Sequence, residues 1–209
     1  MSGHSPAFPA RVVLATGNPG KLREMREILA PWHVEVLPLS DFTLRVAEEA
    51  GLSFVENAIL KARFASQAAG LPAVADDSGL EVDALHGAPG IYSARYAGAG
   101  ADDAANNARL LLELSGVPDD RRSARYRCAM AYLRWPLDPA PLVCQASWEG
   151  RIARAPAGSG GFGYDPLFLV GDSGRTAAEL DSARKNAVSH RGQALRALVA
   201  ALEGAGRDP

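Results

Sequence analysis

Strand-like runs alternate with stretches of helical periodicity, which predicts an α/β or α+β fold built around a mixed sheet. Two observations carry this. Near the N-terminus the apolar run Val12–Ala15, the break Thr16–Gly20 and the helical stretch Lys21–Leu29 follow one another, which suits a parallel crossover. Further on, the strand-like runs Ala124–Trp135 and Leu142–Ile152 are joined through Pro136, Pro139 and Pro141, which suits a loose hairpin. The chain has 209 residues, no internal repeat and no linker, so a single domain over residues 1–209, or one domain with two lobes, is expected. A chain of this length buries roughly 70% of the surface its unfolded form exposes, and needs no disulfide or metal merely to fold.

The elements follow in order. Ser2–Pro9 is small, polar and proline-containing, and is expected to be a mobile tail. In Lys21–Leu29 the apolar residues Leu22, Met25, Ile28 and Leu29 recur at helical spacing, and Val34–Leu37 reads as a second strand. Ser53 and Glu56 match the S-x-x-E capping box, opening a helix Ser53–Ala69 that Gly70 and Pro72 close. Ala73–Ala75 reads as a short buried strand running into Asp76-Asp77-Ser78-Gly79, and Leu80–Leu85 alternates. His86–Gly90, with two glycines and a proline, is a loop. Asp102–Leu114 is a helix capped by Asp102 or Asp103. Beyond the hairpin come a glycine-rich loop, Gly158–Gly163, and a short strand, Leu167–Val170. A terminal helix, Ser182–Leu202, carries Leu195, Leu198, Val199 and Leu202 on one face.

Composition excludes several classes. The net charge of −2 gives no electrostatic reason to expect nucleic acid or a membrane as partner. No apolar run approaches the ~20 residues of a bilayer span, and Met1–Pro9 lacks the apolar core of a signal peptide. Cys128 and Cys144 are too few for a disulfide framework and read as reduced core residues. A cytoplasmic globular protein is expected. All but three of the 22 basic residues are arginine, so Lys21, Lys61 and Lys185 stand out.

Several segments carry chemistry. Thr16-Gly17-Asn18-Pro19-Gly20-Lys21 joins a strand to a helix, where backbone N–H groups and the helix N-terminus suit an anion and Lys21 adds a point charge. It is not a Walker A loop, since Leu22 stands where Ser or Thr would be, and an ordinary tight turn is the alternative. Asp76-Asp77 and Glu48-Glu49 are acidic pairs. Together they suit Mg²⁺, and separately each suits a solvated turn. Gly158–Gly163 spells G-x-G-x-x-G, but Tyr164-Asp165-Pro166 follows and no helix opens there, against a dinucleotide fold. The alternatives are a flexible loop or one that approaches a ligand with Phe162 stacked on a base. Ser189-His190-Arg191, with Lys185 upstream, offers donors to a base or phosphate, although a lone histidine is more often structural. His4, His33 and His86 show no zinc-ligand spacing with it. Taken together the set suits a Mg²⁺-nucleotide site.

Six motifs in order, Val13–Lys21, Phe54–Arg63, Ala75–Leu80, Gly87–Tyr96, Gly160–Pro166 and Ser189–Ala194, closely resemble the inosine/xanthosine triphosphate pyrophosphatase family, from about Arg11 to Leu202. The resemblance implies a two-lobed α/β fold with an elongated central mixed sheet flanked by helices and a site in the cleft between lobes. It implies a Mg²⁺-dependent homodimer that hydrolyses dITP, ITP and XTP to the monophosphate and pyrophosphate. On matching positions, Thr16 to Lys21 would hold phosphates and Lys61 would reach them. Asp77 would be catalytic base and metal ligand, with Glu48 the second metal ligand. Ser78 would contact the substrate. Phe162, Gly163, Tyr164 and Asp165 would wall the base pocket, and Lys185, His190 and Arg191 would contact the base from the other side. Ala50 stands where relatives often have Thr, beside the Glu48-Glu49 pair. Two other readings stay open: a triphosphate pyrophosphatase with another nucleotide preference, and a nucleotide-binding regulator, against which Asp77, Glu48 and Lys21 speak.

Overall fold

The computed structural model describes residues 9–171 and 173–205. The expected tail therefore lies, Pro9 apart, outside the described residues. Strands β1 (Arg11–Leu14), β2 (Glu35–Pro38), β3 (Ala73–Val82), β4 (Ser123–Leu133), β5 (Leu142–Ile152) and β6 (Phe168–Val170) form one sheet in the order β2-β1-β3-β4-β5-β6. The sheet is mixed: β1 runs parallel to β2 and to β3, and β5 antiparallel to β6. Parallel neighbours need crossovers. Helices α1 (Pro19–Leu29) and α2 (Phe54–Ala69) supply them, and α3 (Asp103–Glu113), α4 (Ser182–Val188) and α5 (His190–Ala205) complete the α/β fold. No helix among the described residues is long and apolar enough to cross a membrane.

The chain divides into two compact units. The first holds the chain through Asp77, Ala129–Ala146 and everything from Arg191; the second holds Ser78–Cys128 and Ser147–His190. In the first unit, Asn18 caps α1 by accepting from the N–H groups of Gly20 and Lys21 at 2.8 and 3.2 Å. Helix α2 starts on Ser53, which accepts from Glu56 N–H, while Glu56 reaches back to Ser53 Oγ and Leu52 N–H, a variant of the expected capping box. It stops at Gly70, whose φ of +65° is the left-handed conformation this stop uses. Its buried face, Ala58, Ala62 and Ala65, meets Ala73, Ala75, Ala129 and Ala131 of the sheet. With methyls on both sides the helix lies close, and larger residues there would overpack the contact by about 1–3 kcal/mol each.

The second unit is filled differently. Leu80, Val82, Leu110, Leu114, Tyr126, Trp148, Tyr164, Leu167 and Phe168 form its core. Tyr126 and Phe168 meet at 4.6 Å between centroids, and Trp148 and Phe168 at 5.1 Å. Buried Arg122 donates to the carbonyls of Leu114, Ile152 and Ala153 at 2.7–2.9 Å, tying the end of α3 to β5. A cation suits the carbonyl end of a helix.

Three expectations are corrected. Ala73–Ala75 and Leu80–Leu85 are not separate strands: β3 runs unbroken through Asp76–Gly79, because both aspartates find cations. The terminal helix is two helices, broken at Ser189, whose ψ of 157° is extended and whose N–H still closes α4 on Lys185 C=O. Cys128 is buried as expected, but Cys144 is only half-buried, and the two are not joined in a disulfide.

Candidate functional site

Alternation along β3 sorts the two aspartates. Ala73, Ala75 and Asp77 point to one side and Val74 and Asp76 to the other. The first set meets α2, since Ala73 and Ala75 belong to the alanine contact. Lys61 lies on α2 between Ala58 and Ala65, one turn from each, and its Nζ donates to Asp77 Oδ1 at 2.5 Å. The same ammonium donates to Glu49 Oε1 at 3.1 Å. Burial pushes the Asp77 carboxyl above the usual carboxylate range, and Lys61 offsets only part of that. Burial alone would lower Lys61, but the charge and hydrogen bond of Asp77 raise it overall.

On the other side of β3, Asp76 is fully enclosed. Lys21, one turn before Met25 on the buried face of α1, bonds Asp76 Oδ1. Arg191 Nε donates to Asp76 Oδ2 at 2.9 Å, and its Nη1 to Glu24 Oε2 at 2.5 Å. Burial alone would raise the Asp76 carboxyl, but the Arg191 guanidinium and the Lys21 ammonium outweigh it and hold it well below the ordinary range. Thus the first unit brings together Lys21, Lys61, Asp76, Asp77, Glu49, Glu24 and Arg191. Thr16 Oγ1 accepts from Asn18 N–H at 3.1 Å, and Gly17, Asn18 and Pro19 are exposed at the mouth of this loop while Gly20 is buried. Glu48 is exposed; it is its neighbour Glu49 that reaches Lys61.

Among the described residues no three His, Cys, Asp or Glu side chains form a ready-made metal cage. Mg²⁺ asks for less: one or two carboxylates, with waters and substrate phosphates filling the remaining positions. Asp77 and Glu49, converging on one cation, are such hard oxygen donors, so the donor set fits that ion.

In the second unit Asp165 is the hub. It is 3% exposed and accepts from Lys185 Nζ at 2.6 Å, from Phe162 N–H at 2.9 Å and from the Tyr126 hydroxyl at 3.2 Å. Lys185 Nζ also stands 4.9 Å from the centroid of the half-buried Phe162 ring, a cation–π contact. His190 stacks on Tyr126 at 4.7 Å with a 9° interplanar angle. Tyr164 is buried and donates its hydroxyl to Ser93 C=O at 2.8 Å, and burial keeps that phenol protonated well above its usual range. Ser78 is half-buried on β3. The loop glycines serve the protein's own packing: a Cβ on Gly161 would stand 2.0 Å from Asp165 Oδ2, and one on Gly158 2.7 Å from the Ala178 backbone.

The sequence-predicted base set is therefore divided. Lys185, His190, Phe162, Gly163, Tyr164 and Asp165 gather in the second unit. Arg191 turns its guanidinium to Asp76 and Glu24 in the first. Glu24 and Tyr126 carried no sequence signal: Glu24 reads as a helix-face charge, and Tyr126 as one aromatic in a strand.

Comparison with known proteins agrees along nearly the whole chain. The model of the Ham1 family matches residues 12–201. A dITP/XTP pyrophosphatase of Pectobacterium atrosepticum is 57% identical over 195 residues, 93% of this chain and 99% of that protein. Among solved structures, a HAM1 protein from Coxiella burnetii superposes with a TM-score of 0.84 at 49% identity, covering 94% of this chain and 100% of the other. The Ham1 protein of Staphylococcus aureus gives 0.81 at 39%, covering 93% and 99%.

Proposed function

The chain belongs to the Ham1 family, and from that premise we propose that it hydrolyses dITP, ITP and XTP to the nucleoside monophosphate and pyrophosphate, removing non-standard purines from the nucleotide pool. The observation that carries the reading is the Asp77–Lys61–Glu49 cluster beside Lys21–Asp76. A carboxylate made more basic by burial stands among ammonium groups able to meet phosphates.

These products require water to attack the α-phosphorus while the bond to the β-phosphate bridge oxygen breaks. Asp77 takes the proton of that water, and its raised pKa makes it a better base than an ordinary carboxylate. Asp77 and the Glu48-Glu49 pair supply the oxygen donors for Mg²⁺. When bound, the ion neutralises triphosphate charge and acidifies its water. Lys21 and Lys61 meet the charge that develops on the departing pyrophosphate. The Thr16–Lys21 loop and Ser78 hold phosphates and sugar.

The base falls to the second unit. Phe162 stacks on the purine, and Lys185 and His190 donate to the 6-keto oxygen of hypoxanthine or xanthine. Adenine would set an amino donor against those donors, a mismatch a polar site rejects strongly. Arg191 supports this chemistry from behind, by holding Asp76. A homodimer and a cytoplasmic location complete the proposal, and sedimentation and cell fractionation check them.

The test is pyrophosphate release from ITP, XTP, dITP, ATP, GTP and dTTP, with Mg²⁺ and with EDTA. Preference for the first three, abolished by EDTA, is the expected result. Metal-dependent release without that preference would overturn the base assignment. No release from any of them would overturn the enzymatic reading in favour of a binding module.

A further inference from the structure

One peptide of the base loop is held from outside it. Gly163 lies between Phe162 and Tyr164 with φ of +62°. Its N–H donates to Asp103 Oδ2 at 2.6 Å, and its C=O accepts from Asn107 Nδ2 at 2.8 Å. Asp103 and Asn107 sit four residues apart on α3, one above the other on the same face. The orientation of Asn107 is dictated. Its Nδ2 also donates to Asp103 C=O at 2.8 Å, so a reversed amide would set its oxygen against two carbonyls. Its Oδ1 is left buried without a hydrogen-bond partner, a cost the fold accepts to keep both donors in place.

Helix α3 is itself well anchored. Asp102 caps it through Ala105 N–H, and Asn106 accepts from Ala97 N–H and donates to Ala94 C=O. Phe162 N–H is fixed by Asp165, and the Tyr164 hydroxyl by Ser93. Gly163 is the link between these two anchors, and a change in its peptide rotates Phe162 against Lys185.

We propose that Asp103 and Asn107 are positioning residues for base recognition: by clamping both polar groups of Gly163 they set where the Phe162 ring and Lys185 meet a purine, and so set nucleotide affinity and base discrimination. Neither touches the phosphates or the attacked phosphorus in this scheme, and the inference rests on the base-loop role proposed above.

The test joins hydrogen–deuterium exchange over residues 158–168 with steady-state kinetics on ITP and ATP, for the wild type and for Asn107→Leu, Asp103→Ala and Asp103→Asn. Asn107→Leu and Asp103→Ala are expected to speed exchange in this loop. KM for ITP should rise about tenfold, with kcat within about threefold and a reduced ITP/ATP ratio of kcat/KM, the scale of one lost charge-assisted or buried hydrogen bond. Asp103→Asn keeps an acceptor oxygen and should recover most of the affinity that Asp103→Ala loses. Should Asn107→Leu fail to fold, the two Asp103 variants carry the same readouts. Unchanged loop exchange overturns the clamp. Faster exchange with wild-type KM and base preference overturns its link to recognition. A wild type that releases no pyrophosphate overturns the functional reading itself, and that result is separate from any variant's.

Discussion

Asp76 in the first unit and Asp165 in the second are both buried against a cation, and the two are used differently. In the first unit Asp76 receives Arg191 on one oxygen and Lys21 on the other, and is driven far towards ionisation. In the second, Asp165 meets Lys185 but shares its oxygens with a tyrosine hydroxyl and a backbone N–H, and its lysine lies over an aromatic ring. The first arrangement manages charge and the second fixes the shape of a loop. The adjacent residues His190 and Arg191 make the contrast sharpest. The break at Ser189 sends the histidine into the aromatic stack of one unit and the arginine into the carboxylates of the other.

The largest effect should come from the charge side. Asp77→Asn is expected to keep the fold by circular dichroism and to lower kcat for ITP by about 10²–10⁴-fold at saturating Mg²⁺, the span of a lost general base. Near-wild-type turnover would take the base role away from Asp77. Next comes Arg191→Ala. It removes the guanidinium that pairs with both Glu24 and Asp76, both buried, which is expected to destabilise the protein by about 3–5 kcal/mol in urea unfolding. The ITP/ATP ratio of kcat/KM should stay at its wild-type value. A collapse of that ratio with little loss of stability would return Arg191 to the base.

Much of this division was legible in the sequence because local chemistry announced it. The asparagine cap of α1, the Ser53/Glu56 pair and Gly70 mark helix ends by hydrogen bonds that lie close along the chain. The acidic pair Asp76-Asp77 and the rare lysines Lys21 and Lys61 stand out in the sequence, and the structure pairs them. What was not legible depends on tertiary partners. Nothing in Asp76–Gly79 says that two cations will let a strand continue through two carboxylates. The break at Ser189 has neither glycine nor proline, so helical periodicity runs straight across it. Adjacent Glu48 and Glu49 look alike in the sequence, because facing Lys61 depends on how the segment before α2 turns. Asn107 looks like any polar helix residue until Gly163 is brought beside it.

His190→Phe sharpens the comparison from the second unit. The ring that stacks on Tyr126 keeps its area but loses its polar edge. Stability should change by less than about 1.5 kcal/mol, as for other shape-conserving core exchanges. KM for ITP should rise about tenfold while kcat holds, the scale of a lost hydrogen bond to the base. A large fall in the melting midpoint with unchanged KM would make His190 a core residue and nothing more.

The smallest effect is a pH-dependent one, and it asks whether every buried carboxylate of the first unit serves the site. Asp138, at the turn between β4 and β5, accepts from Arg134 at 2.6 and 2.8 Å and from the N–H groups of Arg134 and Ala140. The Arg134 side chain, with these backbone donors, pulls its carboxyl far below the ordinary range in spite of burial. The folded-state pKa is thus lower than that of the unfolded chain, about 3.9. The stabilisation is therefore full at pH values above the unfolded one, and is lost as pH falls through the lower folded one. Asp138→Asn should melt at a lower temperature than the wild type at pH 7. The gap should hold down to about pH 5 and narrow below it as the wild-type carboxylate takes up its proton. Turnover of ITP at pH 7 should not change, because Asp138 holds a turn and no phosphate. A gap that stayed constant to pH 2 would deny the carboxylate its role, and a fall in turnover would tie this turn to the charged cluster around Asp77.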